Sequence, residues 1–146
     1  MGQLTVAVVS GYFNPIHVGH LRMIRAAKQL ADILVVIVNN DKQQVLKKGK
    51  VIIPEQDRVE IVDSIKYVDR TVLSIDTDGS VRATLASLRK EYPDESLIFA
   101  NGGDRRSADS ISEAEVCQDL GIKIEFGVGG HDKADASSRI NEALGV

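Results

Sequence analysis

Leu4-Thr5-Val6-Ala7-Val8-Val9-Ser10-Gly11-Tyr12-Phe13-Asn14-Pro15-Ile16-His17-Val18-Gly19-His20 begins as an apolar, valine-rich run and ends at the first turn of an apolar-striped segment. The run is short and unbroken, the pattern of a strand buried on both faces. Leu21, Ile24, Ala27 and Leu30 then repeat at helical spacing from Gly19 to Ala31. The stretch therefore predicts a strand, a tight loop and a helix.

The rest of the chain continues this alternation. Ile33 to Val38, Thr71 to Ile75, Leu97 to Ala100 and Ile122 to Phe126 are short β-branched or apolar runs. Between them, helical stripes follow Pro54 (Val59, Ile61, Val62, Ile65), span Val81 to Lys90 (Leu85, Leu88), and run from Ile111 to Leu120 before Gly121. A last stripe covers Ala136 to Leu144. Strands alternating with helices predict parallel pairing through right-handed crossovers. The expected fold is α/β: a Rossmann-like, doubly wound parallel sheet of about five strands, in a single domain over residues 1–146. Asn39 to Ile53, Thr77 to Ser80, Asn101 to Ser110 and Gly127 to Asp135 read as irregular. Chemistry is expected in loops beyond the carboxyl ends of the strands.

Composition narrows the class of function. With 18 basic and 21 acidic residues the net charge is −3, which argues against a long nucleic acid as partner. A local basic site for a small phosphorylated ligand remains compatible. One cysteine, Cys117, excludes an internal disulfide and a multi-cysteine metal site, and its helical apolar position reads as core. No run approaches the ~20 apolar residues of a membrane span. No basic segment precedes an apolar one at the N-terminus, and Val6 stands where myristoylation needs Ser or Thr. A soluble cytoplasmic protein is the expectation.

Gly11 allows a sharp exit from the first strand, and Pro15 stiffens the loop. His17 and His20 are three apart, which sets both imidazoles on one side of the first turn if the helix starts near Val18. Gly19 between them opens the backbone to a ligand. Helix-end N–H groups and two imidazoles together form a pocket suited to phosphate.

This segment closely resembles the GxFxPxHxGH signature of the HxGH nucleotidyltransferase superfamily, and most nearly its glycerol-phosphate cytidylyltransferase and heptose-phosphate adenylyltransferase branch. Further matches follow in order: Lys47-Lys48-Gly49-Lys50 with Pro54 to Arg58, Tyr67-Val68-Asp69, Asn101-Gly102-Gly103-Asp104, and Ser137-Ser138-Arg139-Ile140. The resemblance implies transfer of a nucleoside monophosphate from an NTP, CTP or ATP, to a phosphorylated small molecule, with release of pyrophosphate. A cytidylyltransferase-like enzyme acting on an alcohol or sugar phosphate is the reading preferred here, with ATP as the alternative donor. Mg²⁺ accompanies the triphosphate, with few dedicated protein ligands. Relatives of this branch imply a homodimer.

The same resemblance implies roles for residues. His17 and His20 donate to the triphosphate as charge builds, and Lys47 or Lys48 reaches in from a loop. Lys50 stays open as a third choice. Gly11, Tyr12, Phe13, Gly19, Asp104, Ser137, Ser138 and Arg139 are expected to surround the nucleotide. Arg58 is expected to meet the acceptor phosphate or to hold the loop, with pairing to Glu55 or Glu60 as the plain alternative. Asn14 stands where many members have Asp, and Ala136 where the last motif often has Ser. Those two departures favour a second class of function, a nucleotide-binding module without turnover. His131 reads as solvent-facing. A dinucleotide-dependent oxidoreductase needs G-x-G-x-x-G in the first turn, which here reads Gly11-Tyr12-Phe13-Asn14.

Overall fold

The computed structural model describes residues 4–101 and 108–126. Asp104, Ser137, Ser138, Arg139, Ala136, His131 and the expected last helix lie outside the described residues.

Five parallel strands form one sheet: β1 (Thr5–Gly11), β2 (Ile33–Val38), β3 (Arg70–Leu73), β4 (Ser96–Asn101) and β5 (Lys123–Phe126), in spatial order β3-β2-β1-β4-β5. The helices among them are α1 (Val18–Lys28), α2 (Asp41–Lys48), α3 (Glu55–Asp63), α4 (Arg82–Glu91) and α5 (Ala108–Leu120). This is the Rossmann-like α/β arrangement that the alternation implied. β1 is central and pairs with β2 (Val6 opposite Ile33) and with β4 (Thr5 opposite Ser96).

Side chains of β1 alternate between two cores, because a strand has a period of two. Val6 and Val8 pack on one face with Leu85 and Leu88 of α4 and Cys117 of α5. Ala7 and Val9 pack on the other with Ile24 and Ala27 of α1 and Val62 of α3. Cys117 is core, as expected, and burial pushes its thiol up to about 12, so it is no nucleophile.

The order of strands reverses beside β1, where α1 leaves to one side and β4 pairs on the other. In open α/β sheets this switch point is where ligands bind. The loop from Tyr12 to His17 sits at that point.

One expectation needs correction. Asn39 to Ile53 is not all irregular, since α2 occupies its centre. Asn40 caps α2, accepting from Gln43 N–H at 2.9 Å while Gln43 Oε1 accepts from Asn40 N–H at 3.0 Å. Gly49, at φ 81°, ends it in the left-handed conformation. α2 carries no long apolar stripe, so periodicity alone passes over it. The Asn-x-x-Gln box and the Gly stop are the signals that mark it.

Candidate active site

The histidines form the N-terminal cap of α1. His17 is the cap residue, and its Nδ1 accepts from Gly19 N–H at 3.0 Å. His20, at the third helical position, reaches back so that its Nδ1 accepts from His17 N–H at 3.1 Å. The two rings lie 3.9 Å apart between centroids, tilted by 34°. The spacing in the sequence predicted that both rings share one side of the turn, and they do.

The cap has a chemical consequence. An Nδ1 that accepts a backbone N–H carries no proton, so each ring in this arrangement holds its proton on Nε2. Both histidines are thereby oriented as Nε2–H donors. The Gly19 N–H is engaged by this cap.

Burial is the main reason that the His20 imidazole is pushed down to about 3; repulsion from His17 and from Lys47 adds to it. The positive end of α1 works in the same direction. His20 is therefore a neutral donor at pH 7.

Phe13 is sealed in the core at 1% exposure and adopts φ 53°, rare for a bulky residue. Its ring meets His20 edge-on at 4.9 Å. It supports a histidine from below and presents almost no surface to a nucleotide. Gly11 has a steric role: a Cβ there would lie 2.8 Å from Phe13 Cζ. Its exit from β1 needs no left-handed backbone, unlike Gly49.

Arg58 is fully buried. Its Nε donates to Ile53 O at 2.8 Å, its Nη1 to Tyr12 O at 2.7 Å and Asn39 O at 2.6 Å, and its Nη2 to Asp41 Oδ1 at 2.6 Å. Of the roles anticipated for it, the structure supplies the holding of the loop. An acceptor contact and an exposed pair with Glu55 or Glu60 are at odds with a side chain sealed among these partners. Glu55 instead accepts from Asp41 N–H at 2.7 Å. Asn14 is also buried, and its Oδ1 accepts from Ile52 N–H (3.1 Å) and Ile53 N–H (2.7 Å). It clasps the segment joining α2 to α3.

Lys47 and Lys48 stand in the last turn of α2, and both are exposed, as is Lys50 beyond it. The Lys47 ammonium lies 4.3 Å from the centroid of the Tyr12 ring, and its charge is felt by His20. Of the three candidates it is the one tied to the histidines. A cavity of about 440 Å³ opens elsewhere on α2, bounded by Asp41, Lys42, Val45, Leu46 and Thr77, with neither histidine in its wall. Asp69, in the expected Tyr67-Val68-Asp69 match, joins elements: it accepts from Leu34 N–H at 2.8 Å and pairs with Lys28 at 2.6 Å.

No three His, Cys, Asp or Glu side chains among the described residues gather to hold a metal ion. No described helix is long and apolar enough to cross a membrane.

A family model described as cytidylyltransferase-like matches residues 8–121. The chain belongs to the cytidylyltransferase-like family. It is a nucleotidyltransferase. The chain is 36% identical over 119 residues to a protein of Pyrococcus abyssi named FAD synthase, covering 81% of this chain and 75% of that one. It is 44% identical over 118 residues to an FAD synthase of Ferroglobus placidus, covering 81% and 71%. A lipopolysaccharide core biosynthesis protein from Thermoplasma volcanium GSS1 shares the fold of this nucleotidyltransferase, with TM-score 0.62 and 24% identity over 84% of this chain and 93% of that one.

Proposed function

We propose that this nucleotidyltransferase transfers AMP from MgATP to the phosphate of FMN, forming FAD and pyrophosphate. The relatives named FAD synthase support this donor and acceptor over the CTP and the alcohol or sugar phosphate preferred from the sequence. The observation that carries the transferase chemistry is the reciprocal cap, which presents two Nε2–H donors side by side with Lys47 nearby.

A terminal oxygen of the acceptor phosphate attacks the α-phosphorus of the triphosphate. A new P–O bond forms, and the bond from the α-phosphorus to the bridging oxygen breaks. The electron pair leaves with pyrophosphate. No protein nucleophile takes part, so catalysis rests on positioning and on stabilising charge. His17 and His20 donate Nε2–H to oxygens around the α-phosphorus, where charge grows. Lys47 moves onto the departing phosphates. Mg²⁺ enters as part of the substrate, held by the phosphates and water, as suits an ion that keeps much of its hydration. Arg58 and Asn14 keep the loop and α2 in register around that centre. Asp104, Ser137, Ser138 and Arg139 remain assigned to the nucleotide by resemblance alone.

The test incubates the full chain with FMN and MgATP, following FAD by chromatography and pyrophosphate by a coupled assay. CTP replaces ATP in one arm, and alcohol and sugar phosphates replace FMN in another. FAD formation that needs both ATP and FMN is expected. Pyrophosphate release with CTP and a sugar phosphate, but not with ATP and FMN, overturns the substrate assignment.

A further inference from the structure

We infer that Tyr12 is the positioning residue for Lys47: the face of its ring holds the ammonium beside the histidines, where it meets the triphosphate. The inference rests on the proposed role of Lys47 as a phosphate ligand.

A lysine in an exposed last turn has a flexible four-carbon stem and many rotamers. The electron-rich face of Tyr12, 4.3 Å from Nζ, selects among them. The buried frame sets this meeting in advance. Tyr12 O accepts from Arg58 Nη1, while Arg58 Nη2 bonds Asp41 Oδ1, the first residue of α2. The same guanidinium thus spaces the ring from the helix that carries Lys47. Neighbouring residues hold Tyr12 on both sides: Gly11 O accepts from Asn39 N–H at 2.9 Å, and Phe13 is embedded in the core.

A cation resting on a neutral ring is held less strongly than one paired with a phosphate oxygen. The ring therefore lets the ammonium turn its N–H donors to an arriving polyphosphate while the ε-methylene stays against the ring. Tyr12, expected from the sequence to surround the nucleotide, acts through the lysine instead.

Two measurements test this. The first is NMR of the Lys47 ε-methylene protons, which the ring current of Tyr12 should shift upfield. The shift is expected in the wild type and in Tyr12→Phe, absent in Tyr12→Leu, and kept when Mg²⁺ and α,β-methylene-ATP are added. A wild-type spectrum without the shift, or one that loses it at saturating analogue, overturns the inference. The second is a double-mutant cycle on transfer to FMN. Tyr12→Leu should lower turnover about fivefold, the scale of one exposed cation–π contact, with Tyr12→Phe recovering most of it. In a Lys47→Met background Tyr12→Leu should add almost nothing. An equal loss in that background means that the ring touches substrate itself and overturns the inference. If the wild type forms no FAD, the proposed substrates fail, while the NMR result still decides between Tyr12 and Lys47 being partners or strangers.

Discussion

Phe13 stands edge-on against His20, ring centroids 4.9 Å apart and planes inclined at 65°. The contact links the core to the candidate site, because Phe13 is itself buried. Gly11 is what admits the ring. In Gly11→Ala the new methyl falls 2.8 Å from Phe13 Cζ, and the ring has to shift and carry His20 with it. Overpacking of this kind costs about 1–3 kcal/mol. Chemical denaturation should show that loss, and kcat should drop further than the loss of folded protein explains. Wild-type kcat in this variant would show that the Phe13 support is dispensable.

The histidines cap a helix and, in the proposed mechanism, donate to substrate, and substitution can separate the two roles. His17→Ala loses the cap and the donor: about 1 kcal/mol of stability and ~10²-fold or more in turnover. Asn is a good cap residue, so His17→Asn should recover the melting temperature while turnover stays low. His20→Ala should match His17→Ala in turnover. Calorimetry beside steady-state kinetics checks all three, and full activity in any of them contradicts the assignment.

His20 makes acid a specific stress. Its folded-state value, about 3, lies below the 6.5 of an unperturbed imidazole. Between those limits the unfolded chain binds a proton that the native chain does not, so this group's contribution to stability falls as pH drops from about 6.5 towards 3. Above 6.5 the contribution is complete. Denaturation midpoints measured from pH 7 to pH 4 should decline, and the decline should be shallower in His20→Gln. NMR of the imidazole nitrogens should show His20 neutral, with its proton on Nε2, at pH 5.

Arg58 yields a prediction that separates holding the loop from binding the acceptor. Arg58→Met removes a buried cation from three carbonyls and from Asp41, which is itself partly exposed, so a loss of about 3 kcal/mol is expected. Arg58→Lys keeps the charge but cannot reproduce the planar fork, and should fall between. Denaturant titrations check the stability. An acceptor-binding arginine would instead raise the KM for FMN and leave the unfolding midpoint in place.

Much of the architecture was legible because its code is local. Runs such as Val6–Val9 and Ile33–Val38 show the period of buried strands, and the order of elements leaves few topologies open. The spacing of His17 and His20 set both rings on one turn for the same reason. α2 was legible only through its ends, Asn40, Gln43 and Gly49, since its middle has little apolar periodicity. Phe13 and Asn14 gave no sign of their roles, since what they touch lies elsewhere in the chain: His20 for one, the amides of Ile52 and Ile53 for the other.

The sequence by itself determined the alternating α/β plan and the pair of imidazoles at the turn after β1, since each depends on neighbours within a turn or a strand. Only the tertiary structure decided the order of the strands, which nitrogen of each ring carries the proton, which lysine's charge reaches His20, and that Arg58 is a bolt. Its acceptors at Tyr12, Asn39, Asp41 and Ile53 come together only when β1, β2, α2 and α3 have packed. A guanidinium stays buried only where distant segments supply those oxygens.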